Sequence, residues 1–427
     1  MSSHPATQAL AAPRPLNRRK LTLALLLAIF ALNFTDRQIV AILSEPIKLE
    51  FGLSDAQVGL LYGFAFAVVY STAGIPLARW ADRADRARLI NASLAVFSLM
   101  TLACGLAASY AQLLAARIGV ALGEGGTNPA SHSLIADLYP EGRRATAMGI
   151  FALGPNLGIL LGFALGGAIG QAWGWRAALI AAGAAGLVLA GLTTWLLKDA
   201  PRSAARQQPA PQSLARCLRA LFRRRSVRHL FIGAAVMSVA VYAAIGWLPA
   251  FLIRSHGLGT AAAGLTLATL LGVVGGAGTF AGGWLADRLG ARDPAWRLRV
   301  VSVALLVAVP FWPAALLSGH PASAIACLVL PSAVLCFYLA PTFAAVQSLA
   351  DPATRALAAA LLLLIGSLVG LGLGPVLVGA LSDALRPSQG AHSLRLALLA
   401  VVPFLLWSAA HYYAASRSLG SELETTR

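Results

Sequence analysis

Apolar runs of about twenty residues recur along the whole chain, from the one that opens at Leu21 to the last at 393–415. Each is long enough to cross a hydrocarbon core of about 30 Å as a helix. Inside that core every backbone N–H and C=O must find a partner within the protein, which admits helices and closed barrels only. The runs do not alternate apolar with polar residues as barrel strands do, so helices are predicted. Composition agrees: 58% of the 427 residues are hydrophobic and 11% are charged, against about 25% charged in soluble domains.

Twelve helices are predicted, at 20–44, 56–78, 89–108, 112–136, 144–170, 176–197, 228–253, 261–285, 297–317, 321–348, 354–383 and 393–415. The longest polar stretch, 198–227, divides them six and six. The fold class expected is an all-α membrane protein with two pseudo-symmetric six-helix bundles, 20–197 and 228–415. A disordered cytoplasmic N-terminus (1–19), a basic cytoplasmic linker (198–227) and a cytoplasmic tail (416–427) complete the chain. Arg18, Arg19 and Lys20 ahead of an apolar run imitate a signal peptide. The run continues without a small-residue cleavage site, and so reads as a retained first helix. Ser54-Asp55-Ala56-Gln57 has the form of a capping box that starts helix 2. In the linker, Leu214, Leu218, Leu221 and Phe222 recur at helical spacing among arginines, as in a helix lying on anionic headgroups or in a solvated basic linker.

The formal net charge is +17. With the N-terminus placed in the cytoplasm, 26 of the 33 Lys and Arg fall in cytoplasmic segments and 5 on the other side, which is the bias that orients membrane helices. The surplus is therefore topogenic, and no nucleic-acid partner is expected. The localisation expected is a bacterial inner membrane, with both termini cytoplasmic. Cys104, Cys217, Cys327 and Cys336 lie far apart, with no metal or disulfide spacing. No HExxH, GxSxG or Cys/His cluster is present, so neither an enzyme nor a cofactor or metal site is expected.

The two halves repeat each other. Trp80-Ala81-Asp82-Arg83 after helix 2 returns as Leu285-Ala286-Asp287-Arg288 after helix 8. Ser133-Leu134-Ile135-Ala136-Asp137 returns as Ser348-Leu349-Ala350-Asp351, and Gly154-Pro155 as Gly374-Pro375. Both copies begin on the same side of the membrane, as parallel repeats do. Two such units can rock about a central cavity and expose it alternately to either side.

These landmarks resemble the major facilitator superfamily over nearly the whole chain. Its loop signature is best kept at Gly283-Trp284-Leu285-Ala286-Asp287-Arg288-Leu289-Gly290, while the first copy departs at both glycines. Within the superfamily the chain is similar to the spinster-like transporters. The stretches that carry this are Asn33-Phe34-Thr35-Asp36-Arg37, Gly74-Ile75-Pro76-Leu77-Ala78, Arg117 through Glu124, and Leu373-Gly374-Pro375 through Ser382-Asp383; Ala121 stands where that family usually has Gly. The resemblance implies a monomeric secondary transporter and, in some members, export of lysolipid- or sphingolipid-like amphiphiles. It also implies that Asp82 with Arg83, and Asp287 with Arg288, latch the cytoplasmic gate, Asp82 against the N-terminus of helix 11.

Four ionisable residues lie within the predicted helices: Asp36 and Arg37 in helix 1, Arg117 and Glu124 in helix 4. A charge at the bilayer centre costs about 2.5–3.5 kcal/mol even on the milder scale, so these should face the interior and neutralise one another. Asn128 shares a helical face with Arg117 and Glu124, and Asn33 shares one with Arg37. Asp36 and Glu124 are the candidate proton carriers. A carboxylate in a dry cavity resists ionisation until an arginine approaches. Arg37 and Arg117 are alternatively able to clamp an anionic headgroup, or all four form a fixed structural network. His132, toward the cytoplasmic end of helix 4, reads as a packed or solvated residue. Gly154-Pro155 and Gly374-Pro375 are expected to bend helices 5 and 11. The second half offers Tyr242, Trp247, Phe337 and Tyr338 as an aromatic cavity lining, with Thr266, Thr269 and Ser367. An amphiphile with proton coupling fits such an asymmetric cavity. A small organic-anion or drug porter is the alternative, and a transporter-like sensor without net flux is the alternative of another class.

Overall fold

A computed structural model describes residues 16–81, 83–200, 214–351 and 354–424. Among these residues, nine stretches are long and apolar enough to cross a membrane. Two of these are double. Glu141–Leu196 reverses at Gly174, whose φ of 84° suits glycine. Leu357–Glu424 reverses at Gly390, with φ 53°. Tyr110–Leu138, diluted by its polar residues, is the remaining crossing helix. Numbered as above, twelve crossing helices result, with no strand among the described residues.

Helices 1 and 5, 3 and 4, and 3 and 6 pack together in the first half; helices 7 and 12, 9 and 12, and 8 and 10 do so in the second. The chain ends share one face, called here the terminal face: Tyr139 after helix 4 hydrogen-bonds the Arg19 carbonyl, and Glu422 accepts from the backbone of Arg225. The opposite face is called the far face. Helix 1 is pinned along helix 5 by glycines. A Cβ on Gly158 would lie 2.4 Å from the Ala31 carbonyl oxygen, and one on Gly162 2.6 Å from that of Thr35, so only glycine permits this approach.

Several helix ends depart from the sequence reading. Helix 1 begins at Leu16, because Arg and Lys continue a helix readily and the Thr22 hydroxyl bonds the Arg18 carbonyl. The last helix runs to Glu424, past the expected end at 415, and is held by Glu422 at the start of helix 7. The linker contains a helix, Leu214–Arg223, with Leu221 buried and Phe222 edge-on to Phe231 of helix 7. The expected disorder of 1–15, the linker stretch 201–213 and residues 425–427 lie outside the described residues. The capping box at Ser54 is present in both its hydrogen bonds.

Three of the crossing helices are not uniform. Wide, π-type turns occupy Leu60–Phe64 in helix 2, Ala268–Val274 in helix 8 and Gly366–Leu371 in helix 11. Helix 5 breaks at Ala152-Leu153, so Gly154-Pro155 opens a new segment instead of bending a continuous one; Pro is well placed there because a first-turn N–H lacks an intrahelical partner anyway. Pro375 lies inside helix 11 directly after the wide turn.

Candidate functional site

Helices 1 and 4 bring together the charges that the sequence placed in the membrane. Asp36 pairs with Arg117, and Arg37 with Glu124. Arg37 donates to Glu124 Oε2 through Nε at 3.0 Å and Nη2 at 2.6 Å. Asp36 Oδ2 receives Arg117 Nη1, and Asp36 Oδ1 receives the Thr101 hydroxyl of helix 3 at 2.7 Å. Glu124 is fully buried, Asp36 and Arg117 are 1% exposed, and Arg37 is 6% exposed. Two acids and two bases thus form a neutral quartet in a medium where a lone charge would be costly.

The shell around the quartet is aromatic and polar. The Arg37 guanidinium lies 5.0 Å from the Phe34 ring centre, 4.6 Å from Phe66 and 4.8 Å from Tyr70. Arg117 lies 5.1 Å from Phe66. Rings at that range attract a cation through their negative faces. Asn33 donates to Thr127 Oγ1 at 2.8 Å, and the Thr127 hydroxyl donates a hydrogen bond to the Glu124 backbone carbonyl at 2.9 Å. That chain fixes the Asn33 amide so that Oδ1 is the free acceptor. Hydrogen-bonding capacity is left over: Asn33 Oδ1, Glu124 Oε1, Asn128 Oδ1, and Nε and Nη2 of Arg117 have no partner among the described residues. Buried groups of this kind are normally satisfied, so the quartet keeps hydrogen-bonding capacity for water or a polar ligand group.

The second half contributes Tyr242, half-buried and close enough to Arg37 and Tyr70 to interact electrostatically. Tyr338 is buried beside Tyr242, Tyr412 and Cys336. Phe337 is buried at the end of a helical segment of helix 10. Trp247 is placed differently from the sequence reading. It is 1% exposed and donates through Nε1 to the Pro375 carbonyl at 2.8 Å, packing helix 7 on helix 11. An indole buried with its N–H satisfied is a packing anchor. Thr266 is half-buried and Thr269 exposed, and both bond their own helix. His132 is exposed, with its ring edge-on to Phe151 at 5.1 Å.

At the far face the halves are locked together by residues that the sequence did not mark as a site. Arg254 at the end of helix 7 donates to Glu45 at 2.5 Å and to both Asp55 oxygens at 2.8 and 3.0 Å. Asp55 also receives Lys48 and the Ser382 hydroxyl. Helix 2 lies against helix 11 so closely that a Cβ on Gly59 would be 2.6 Å from the Pro375 carbonyl oxygen, and one on Gly63 2.5 Å from that of Leu371. Helices 5 and 8 meet in the same way at Gly167 and Gly264. At the terminal face Arg83, Asp287 and Arg288 are exposed, and Asp287 and Arg288 form no ion pair among the described residues; Asp82 lies outside them. The only charge signal for the far-face lock was a set of ionisable residues flanking apolar runs, where topogenic charge has the same appearance.

A twelve-helix bundle with a buried, balanced charge cluster inside its first half and ion pairs joining the halves at one face has the build of a membrane transporter. The chain belongs to the major facilitator superfamily, whose family model matches residues 25–375, and it is of the spinster-like type. It is 35% identical over 387 residues to an "MFS-type efflux pump" of Mycolicibacterium smegmatis, covering 90% of each chain. It is similar to a crystal structure of a bacterial homolog of the human lysosomal transporter Spinster in an inward-facing, unoccupied conformation. That match has a TM-score of 0.86 at 31% identity, over 96% of this chain and 99% of that one. A probable L-galactonate transporter of Escherichia coli is 26% identical over 289 residues, 64% of this chain and 63% of that protein.

Proposed function

We propose that the protein exports an amphiphilic, lysolipid- or sphingolipid-like substrate by alternating access, coupled to protons carried by Asp36 and Glu124. The observation that carries this reading is the neutral quartet: two acids and two bases, all buried, with Glu124 Oε1 and two Arg117 nitrogens without a partner among the described residues. A fixed structural network would satisfy its members, whereas a site that trades partners keeps capacity in reserve. The unfilled acceptors on helices 1 and 4 suit a polar headgroup. Tyr242 and Tyr338 from the second half suit the less polar part of the same molecule.

The far-face lock and the exposed latch at Asp287 support an inward-facing arrangement, with the terminal face cytoplasmic as the Lys and Arg bias requires. The protein works as a monomer in the inner membrane. In purified proteoliposomes, a pH gradient should accelerate movement of a lysolipid, and Asp36→Asn and Glu124→Gln should each abolish the acceleration while leaving the protein folded. Gradient-driven transport unaltered in both variants would reject the assignment.

A second reading, a small organic-anion porter, is favoured by Nε and Nη2 of Arg117, which have no partner among the described residues and are able to hold a carboxylate bidentately. The L-galactonate relative adds support. Competition between lysolipid and aldonate for transport separates the two.

A further inference from the structure

The first turn of a helix leaves backbone N–H groups without intrahelical partners, and at helix 2 the partners come partly from the other half of the molecule. Ser54 Oγ accepts from the Gln57 N–H at 3.2 Å. The two N–H groups before it, those of Asp55 and Ala56, are taken by Asp383 at the end of helix 11: Oδ1 accepts from Asp55 at 2.9 Å and Oδ2 from Ala56 at 2.7 Å. The neighbouring residues of helix 11 reinforce this seat. Ser382 donates to Asp55 Oδ2 at 2.7 Å, and a Cβ on Gly379 would stand 2.4 Å from the Asp55 carbonyl oxygen.

The surrounding charges make Asp383 distinct. Lys48 and Arg254 are engaged by Asp55 and Glu45. Asp383 itself forms no ion pair among the described residues, so its counter-charge is the positive end of helix 2. Helix 2 packs here on helix 11, and the carboxylate can stay seated only while the far face is shut.

We propose that Asp383 is a gating residue: it closes the far face by capping helix 2 across the two halves, and must leave that cap before the cavity opens outward. The proposal rests on the alternating-access reading above, but its test reads a distance and not transport. The full chain, with its four cysteines replaced, is spin-labelled at Leu49→Cys and Ser388→Cys, both at exposed far-face positions. Double electron–electron resonance then reports the spread between the halves. Removing a helix cap of this kind typically shifts an equilibrium about five- to tenfold. Asp383→Ala should therefore raise the ratio of far-face-open to far-face-closed molecules by about that factor. Asp383→Asn, which keeps the shape and one acceptor oxygen, should raise it less. Circular dichroism and elution volume confirm folding, and the Asn variant serves if the Ala variant is lost. Distance distributions identical to the parent in a folded variant would overturn the latch. Unchanged distances in folded Asp383 variants, beside lost proton coupling in Asp36→Asn, would reject this inference and leave the transport reading standing.

Discussion

Arg37 and Glu124 meet 2.6 Å apart across helices 1 and 4, and both Arg37 contacts go to a single carboxylate oxygen, Oε2. The other oxygen, Oε1, has no partner among the described residues. The pair is thus tight on one side and open on the other. Arg37→Lys keeps the charge but cannot reproduce two N–H contacts in one plane. Losing one charged hydrogen bond of about 1.5–3 kcal/mol should slow transport about tenfold or more while leaving expression and elution unchanged. A transport assay on matched protein amounts checks this, and a wild-type rate would count against a shared role for the two contacts.

The Asp36–Arg117 pair makes a different prediction, about stability. Removing one partner of a buried pair strands the other charge and costs about 3–5 kcal/mol. Arg117→Met alone should therefore lower the melting temperature sharply, and Asp36→Leu with Arg117→Met should recover most of the loss although transport is gone. Thermal unfolding in detergent, run as a double-mutant cycle, gives the coupling directly.

Gly63 tests the far-face contact. Its Cβ position is 2.5 Å from the Leu371 carbonyl oxygen, a backbone atom that cannot step aside. Gly63→Val should add about 1–3 kcal/mol of overpacking to the far-face-closed state alone. The protein should then fold but populate the far-face-open state, seen as faster labelling of cavity cysteines from that side.

Glu50 links the far face to pH. It accepts Trp175 Nε1 at 2.6 Å and Arg176 Nη1 at 2.5 Å, and these hydrogen bonds hold its carboxyl below the usual carboxylate range. A depressed folded value means the contribution is present above the ordinary carboxylate pKa and is lost as pH falls through the lower folded one. The group is largely exposed, so the effect is small after solvent screening. Glu50→Gln should slightly lower the melting temperature at neutral pH and remove part of its fall in acid. A melting-temperature profile from neutral to acid pH for both proteins provides the comparison.

Why the quartet was legible and the far-face lock was not follows from where the charges sit. Asp36, Arg37, Arg117 and Glu124 stand in apolar surroundings that no charge enters without a partner, so each is conspicuous in the sequence. Their pairing was not legible, because it depends on how helices 1 and 4 are rotated against each other. Glu45, Lys48, Asp55 and Arg254 flank apolar runs, where ionisable residues are common, and nothing local says that they converge. Thr101 and Thr127 are ordinary helix residues until the fold turns them toward Asp36 and Asn33. Trp247 reads as a cavity aromatic because a sequence cannot show that its indole is spent on the Pro375 carbonyl. Helix boundaries shifted for a related reason: Glu422 reaches the start of helix 7, a tertiary contact that extends a helix past its apolar run.

The wide turn at Leu60–Phe64 in helix 2 begins directly after Gly59 and contains Gly63. A π-type turn holds surplus backbone relative to an α-helix. Deleting one residue there should leave the rest of helix 2 in register yet straighten it, drawing both glycines out of the grooves they occupy on helix 11. The surplus residue is thus a slack that lets a single rod follow the curve of its neighbour, and trimming it would turn a well-fitted seam into a loose one without removing a single charged group.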